Sequence, residues 1–303
     1  MSEPLNPDHV RHITVSGVRT RYLDTGVPDA GPGHPIVLVH GGHFGIFVPM
    51  GIEVWSETVD ALSAHGRVVA FDKLGQGFTD IPASDEQWTF ESVLDHAVGF
   101  LEQLDLTDMT LVGHSRGGLL ATRLAMELPG RVSRLVVVSS ASTAPAPPGR
   151  SDMGFYDEVE RTAPKNAGAE GVISHYHAAQ AVTEGPLSPE YLRIAAEMMN
   201  GAHHKESVEV YARSSARHWI PSLGRARKRV LDHLQGPGLD VPVLVVWGKD
   251  DRSAPVELGH QFFDVLAGRT ANCTMCVINR AGHQVFRDRP EVFNNLVIGF
   301  LGA

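Results

Sequence analysis

The chain has 303 residues, 43% of them hydrophobic, and a formal net charge of −9 from 26 basic and 35 acidic side chains. That size and composition suit one packed α/β domain with a large insertion, and the acidic balance argues against nucleic acid or an anionic membrane surface as the main partner. No run is long and apolar enough to span a membrane, and Met1 to Asp8 lack the basic-then-apolar pattern of a signal peptide, so a cytoplasmic protein acting on a small molecule is expected.

Residues 12–16 and 19–23, split by Gly17, read as an opening hairpin. Pro35-Ile36-Val37-Leu38-Val39 is an uninterrupted apolar run, as in a central strand covered on both faces. It leads into His40-Gly41-Gly42-His43. Residues 53–64 read as a helix. Arg67-Val68-Val69-Ala70-Phe71 is a second buried strand and ends in Asp72-Lys73-Leu74-Gly75-Gln76-Gly77. Residues 91–104 have helical periodicity, and Thr110-Leu111-Val112 is again strand-like.

Gly113-His114-Ser115-Arg116-Gly117 follows, with a serine between two glycines. Next comes a stretch with Leu119, Leu120, Leu124, Ala125 and Leu128 at helical spacing. A serine hydroxyl is a poor nucleophile until geometry and a base activate it. The strand–turn–helix order here is the context a nucleophile elbow requires. Arg134-Leu135-Val136-Val137-Val138 is the next strand, and such alternation implies a doubly wound, mostly parallel sheet with helices on both faces.

The rhythm breaks after Ser140. Residues 141–150 are rich in Pro, Ala, Ser and Thr, and no strand-like run returns until Val241. The stretch between reads as several helices. One starts at Ser188 as N-cap with Pro189 behind it, and places Tyr191, Ile194, Ala195 and Met198 along an apolar face. Val243-Leu244-Val245-Val246-Trp247 restarts the sheet pattern, followed by a helix, a strand through Cys273 and Cys276, and a helix over 290–301. The predicted organisation is a core of 1–142 and 237–303 with a helical cap of 143–236. Cys273-x-x-Cys276 is at most half a zinc site, and strand positions three apart face opposite sides. Reduced, incidental cysteines are expected, and no metal or organic cofactor.

The serine needs a base, and the base needs an orienting acid. In an open parallel sheet, such groups gather beyond the carboxyl ends of the strands. Two later strands end suitably, in Gly248-Lys249-Asp250-Asp251-Arg252 and in Asn279-Arg280-Ala281-Gly282-His283. The residues alone leave Asp250 and Asp251 equivalent as acid, with His283 as base. Backbone N–H groups of Gly42 (with His43 as the alternative) and of Arg116 are the candidate oxyanion donors. His40 reads as a structural hydrogen-bonding residue.

Taken together, His40-Gly41-Gly42, Asp72-x-x-Gly75-x-Gly77, Gly113-His114-Ser115-Arg116-Gly117, Gly248-x-x-Asp251 and Gly282-His283 resemble an α/β-hydrolase-fold enzyme over nearly the whole chain. The resemblance favours Asp251 as the acid. The serine elbow excludes the branches of the fold that attack with aspartate. Among subfamilies the pattern is similar to the meta-cleavage product hydrolases, which cut a C–C bond in ring-fission dienoates. Shared with them are His40-Gly41-Gly42, the helical cap and Trp247-Gly248-Lys249-Asp250-Asp251-Arg252. Arg193 falls where they carry a cap arginine for the substrate carboxylate.

Two positions depart from that group, His114 in place of asparagine and Gln284 in place of tryptophan. The resemblance makes Gly41, His114, Arg193 and Gln284 candidate substrate contacts, with a solvent-exposed place on the cap as the other reading of Arg193. Met198, Met199, Tyr176 and Tyr211 either line the pocket from the cap or pack its helices together. A plain ester needs neither replaced group. The first expectation is therefore a serine hydrolase that cleaves a small to medium, largely apolar carboxylic ester, lactone or thioester through an acyl-enzyme. The alternative is a C–C bond hydrolase of ring-fission dienoates or related vinylogous diketones. A cofactor-free oxygenase or a ligand receptor on the same fold comes third. A homodimer is left open.

Overall fold

Side chains on a strand alternate between faces, and here both faces are apolar. The structure, a computed structural model, describes residues 5–28, 33–146, 154–183 and 187–302. Among these, eight strands form one sheet: β1 Val10–Val15, β2 Val18–Asp24, β3 Ile36–Val39, β4 Val68–Phe71, β5 Met109–His114, β6 Val132–Val138, β7 Val243–Gly248 and β8 Cys273–Ile278. Their order is β1-β2-β4-β3-β5-β6-β7-β8. β1 and β2 are antiparallel to each other, β2 is antiparallel to β4, and every pair from β4 to β8 is parallel.

Val37, Val39, Val69, Phe71, Leu111, Val137 and Val245 join one core cluster. Their neighbours Ile36, Leu38, Val68, Ala70, Val112, Val136, Val138 and Val246 join another. The two clusters occupy opposite sides of the sheet, which explains why the central strands read as continuous apolar runs. Cys273 packs against the first cluster and Cys276 against the second, so the two thiols stand on opposite faces.

The helices are α1 Val59–Ser63, α2 Phe90–Gln103, α3 Arg116–Glu127, α4 Gly154–Thr162, α5 Gly168–Gln180, α6 Pro189–Asn200, α7 Ala202–Ser214, α8 Trp219–Gln235, α9 Val256–Ala267, α10 Val285–Asp288 and α11 Pro290–Leu301. Thr89 caps α2 by accepting from Ser92 N–H, and Ser188 caps α6 by accepting from Tyr191 N–H. Each supplies one of the acceptors that the first turn of a helix lacks.

Five helices, α4–α8, separate β6 from β7. α4 to α7 pack on one another in sequence, whereas α8 packs on α2, α3 and α9. The expected cap of 143–236 thus includes one helix that belongs to a flanking layer of the sheet. The Pro- and Ala-rich stretch after Ser140 runs on into positions 147–150, outside the described residues. Among the described residues no helix is long and apolar enough to cross a membrane.

The helix expected over 53–64 is interrupted. A 3-10 turn covers Ile52–Trp55, and α1 begins only at Val59. Tertiary bonds cause the break: Ile52 N–H donates to Asp72 Oδ1 (2.8 Å), and the Glu53 carboxylate is drawn into a buried ion pair with Arg21. β-Branched Ile52, Val54, Thr58 and Val59 add crowding that disfavours a continuous helix.

Candidate functional site

The switch in strand order lies at β3, which sits between β4 and β5. The register pairs Val39 with Gly113, so the loop after β3 and the turn after β5 emerge side by side, where ligand crevices form in open sheets. Ser115 has φ 53° and ψ −123°, a left-handed conformation that costs about 1–3 kcal/mol for a non-glycine residue. The strain is held in place by Ser115 N–H to Val138 O (2.9 Å), Gly118 N–H to Ser115 O (2.8 Å) and Ser140 Oγ–H to Ser115 O (2.6 Å). The flanking glycines are sterically required. A Cβ at Gly113 would lie 2.3 Å from Gly117 O, and one at Gly117 would lie 2.3 Å from Val39 O.

β7 and β8 end in loops that are bonded to each other. Lys249 N–H donates to Ile278 O (2.8 Å) and Asp250 N–H to Ala281 O (2.9 Å). Asp251 then turns inward while Asp250 remains exposed. Asp251 Oδ1 accepts from Ala254 N–H (2.7 Å), and Oδ2 lies 2.8 Å from His283 Nδ1. An ionised carboxylate only accepts, so Nδ1 carries a proton and a neutral ring presents a bare Nε2. Buried Trp247 braces the turn by donating from Nε1 to Ala254 O (2.7 Å).

The His283 loop is tied to α5 and α10. His283 N–H donates to Gln180 O (3.0 Å). Asp288 accepts from Gly282 N–H (2.7 Å), Val182 N–H (3.1 Å) and Thr183 Oγ1–H (2.6 Å). Ser115 and His283 line one small cavity together with Arg116, Ala141, Ser142, Tyr156, Ser253 and Ala254. Its roof is Tyr156 of α4, whose hydroxyl lies 2.7 Å from Ser253 Oγ and 3.4 Å from His283 Nε2. Burial pushes the phenol pKa up.

Gly41 lies against Ser115 and His114: a Cβ there would be 3.2 Å from Ser115 Cβ and 2.7 Å from His114 Nδ1. Gly42 adopts φ +70°. Its carbonyl accepts from Lys73 Nζ–H (2.9 Å), a buried lysine whose pKa is held far below normal by burial and then by Arg116. His40 accepts Lys73 N–H at Nε2 (3.2 Å), and burial keeps its ring neutral. His43 is sandwiched between Tyr211 and Trp219, with ring centroids 4.9 and 5.4 Å away. Arg116 opens α3, so its amide sits at the positive end of the helix dipole.

The remaining expected substrate contacts are not among the residues that line this small cavity. His114 is fully buried behind His283. Its Nε2 donates to the His283 carbonyl (3.0 Å), and burial, then the neighbouring His283, holds its pKa well below the usual range. It thus contacts the base from behind and does not line the cavity. Gln284 turns toward Arg287, from which its Oε1 accepts (3.4 Å), and toward His177. Arg193 stands on the exposed face of α6, its side chain 60% accessible and paired with Glu190 (2.7 Å) and Glu197 (3.3 Å). It does not reach the cavity, because its charge is satisfied on the solvent side. Tyr176, Tyr211, Met198 and Met199 do not line that cavity either; Tyr176 instead stacks on Tyr156, 6.1 Å between centroids.

Lys73, Tyr156 and Asp288 were not apparent from the residues alone. The only sequence signal was for Lys73, which lies within the turn that begins at Asp72. Among the described residues no group of three or more His, Cys, Asp or Glu side chains is arranged to hold a metal.

Comparison with known proteins extends this description along the chain. The chain is 29% identical over 305 residues to a 2-hydroxymuconate semialdehyde hydrolase of Pseudomonas sp. (strain CF600), covering 99% of this chain and 97% of that one. It is 26% identical over 294 residues to a 2-hydroxy-6-oxo-6-(2'-aminophenyl)hexa-2,4-dienoic acid hydrolase of Metapseudomonas resinovorans, covering 96% and 90%. The crystal structure of a meta-cleavage product hydrolase (CumD) of Pseudomonas fluorescens IP01 superposes with TM-score 0.75 at 23% identity, covering 98% and 99% of the two chains. That last likeness bears on the fold alone. The model of the α/β-hydrolase fold matches residues 34–290, from just before β3 to the start of α11. On that match the chain belongs to the α/β-hydrolase fold family, and it is a hydrolase.

Proposed function

We propose that this hydrolase cleaves the C–C bond beside a ketone in a ring-fission dienoate, through an acyl-enzyme on Ser115. The choice of bond rests on one observation, the end-to-end similarity to a 2-hydroxymuconate semialdehyde hydrolase. The choice of machinery rests on the Asp251–His283 pair and on the cavity that His283 shares with Ser115.

In this reading the dienol first shifts its hydroxyl proton to the carbon beside the ketone, giving a vinylogous diketone. Ser115 Oγ then attacks the ketone carbon while His283 Nε2 takes its proton. The oxyanion that forms is held by the amides of Arg116 and of Gly42 or His43. Collapse of the adduct breaks the C–C bond. The electron pair leaves with the dienolate fragment, which recovers the proton from His283. Water then gives a proton to His283 and attacks the acyl group, freeing the acid and restoring Ser115. Asp251 keeps the Nδ1 proton in place at both stages. Residues 143–236, or the part of them formed by α4–α7, serve as the cap over this chemistry.

A second reading, hydrolysis of a carboxylic ester or lactone by the same residues, is favoured by the position of Arg193. With that guanidinium paired outward, the expected anchor for a dienoate carboxylate is missing. Purified protein supplied with a ring-fission dienoate and a p-nitrophenyl ester series separates the two readings. A kcat/KM for the dienoate at least tenfold above the best ester supports C–C cleavage, and the opposite order replaces it with ester hydrolysis.

A further inference from the structure

The atom facing His283 Nε2 in this structure belongs to the protein. The Tyr156 hydroxyl stands 3.4 Å from that nitrogen and 2.7 Å from Ser253 Oγ, in the cavity that Ser115 also lines. In the readings proposed above, which this inference deepens, the same place is filled by a group that exchanges a proton with His283. The departing oxygen of an ester occupies it when His283 returns its proton, and the attacking water of either reaction occupies it when His283 takes one.

We infer that Tyr156 is a catalytic residue, whose hydroxyl hydrogen-bonds the attacking water during deacylation and, with an ester substrate, the departing oxygen during acylation. α4 carries the ring to the site, and Tyr156 packs there against Phe155 and Tyr176. Entry of substrate requires only that the hydroxyl give up its contact with Nε2, since Ser253 still holds it at the cavity wall. Burial raises the phenol pKa, so the hydroxyl keeps its proton throughout. It supplies a hydrogen bond and takes part in no proton transfer. All protons travel through His283, and the balance of the reaction is unchanged.

The test compares wild type with Tyr156→Phe, which retains the ring and removes the oxygen. Stopped-flow traces are recorded with p-nitrophenyl acetate and with acetate esters of more basic alcohols, and both proteins are labelled with a fluorophosphonate. In Tyr156→Phe deacylation should slow by about 10- to 100-fold, the scale of a hydrogen bond to a developing charge. A burst of p-nitrophenol would precede slow turnover, and the loss in kcat/KM would deepen as the alcohol becomes more basic. A role in packing alone would lower all rates by one factor.

Ser253→Ala, which loosens the phenol, should give a smaller loss with the same signature, and it keeps the test open if the first variant folds poorly. Unchanged rates, or faster turnover with a lower KM, would show that the hydroxyl only obstructs the cavity, and would overturn the inference while Ser115 still labels. If wild type neither labels at Ser115 nor turns over, the nucleophile itself is wrong and Tyr156 falls with it.

Discussion

Asp251→Asn tests the orientation of the base. In the native site Asp251 is 5% exposed and His283 2%, so water cannot substitute for the bond between them. The substituted amide can keep its oxygen on Ala254 N–H, the bond now 2.7 Å long at Oδ1. Its NH₂ then replaces Oδ2 at 2.8 Å from His283 Nδ1, and two donors face each other. The ring escapes by moving its proton to Nε2, and an Nε2–H imidazole cannot accept the Ser115 proton. A fall in kcat of about 10⁴ is expected, the scale of this tautomer error, equivalent to about 5 kcal/mol of barrier. Asp250→Asn is the control: Asp250 is exposed and bonded only through its backbone N–H, and its kcat should stay within about twofold. Steady-state kinetics on one ester and one dienoate, with thermal melts to show that both variants fold, decide the matter. Comparable losses in the two variants, or a larger one at Asp250, would refute the assigned geometry.

Gly41→Ala would push a methyl to 2.7 Å from His114 Nδ1. A stability loss of about 1–3 kcal/mol from overpacking, with a fall in kcat as Ser115 shifts, should be visible by chemical denaturation and turnover; full activity would mean the loop is looser than described. Arg193→Ala removes an exposed guanidinium with two exposed partners, so the denaturation midpoint should hardly move and KM for a dienoate should change by under about twofold. A KM raised tenfold would show that the arginine turns inward on binding. His96 is buried against Thr20 with its pKa pushed down to about 4. The unfolded chain, titrating near 6.5, therefore binds a proton that the folded chain refuses, and stability falls as pH drops from about 6.5 to 4. The full loss from this one group is about 3 kcal/mol, and His40, His43, His114 and His177, whose pKa values are also lowered by burial, act with the same sign. Denaturation at pH 7 and pH 5 should show the decline, and His96→Gln should make it shallower; identical slopes would reject the assignment.

Much of this architecture was legible because its signals are local. Uninterrupted apolar runs at 35–39, 68–71 and 243–247 mark strands covered on both faces, and Gly113 and Gly117 mark a turn that admits no Cβ. What stayed hidden depends on which way a side chain turns. Asp250 and Asp251 are chemically identical neighbours, and only the bonded loops after β7 and β8 send one inward. Arg193 was linked to the pocket only by resemblance, and Glu190 three residues before it and Glu197 four after it are spaced for the pairing along one helix face that the structure shows. Tyr156, 41 positions beyond the serine, meets it only through the packing of α4, and nothing in its local pattern records that. The break within 53–64 has a similar cause, since the bonds to Asp72 and Arg21 join segments distant in sequence.

The most direct measurement of the central claim is mass spectrometry of enzyme quenched by acid during turnover of a p-nitrophenyl ester. An added acyl mass confined to the peptide containing Ser115, absent in Ser115→Ala together with at least 10³-fold of the activity, is the expected result. Turnover that persists in Ser115→Ala, or an acyl group found on another side chain, would contradict it.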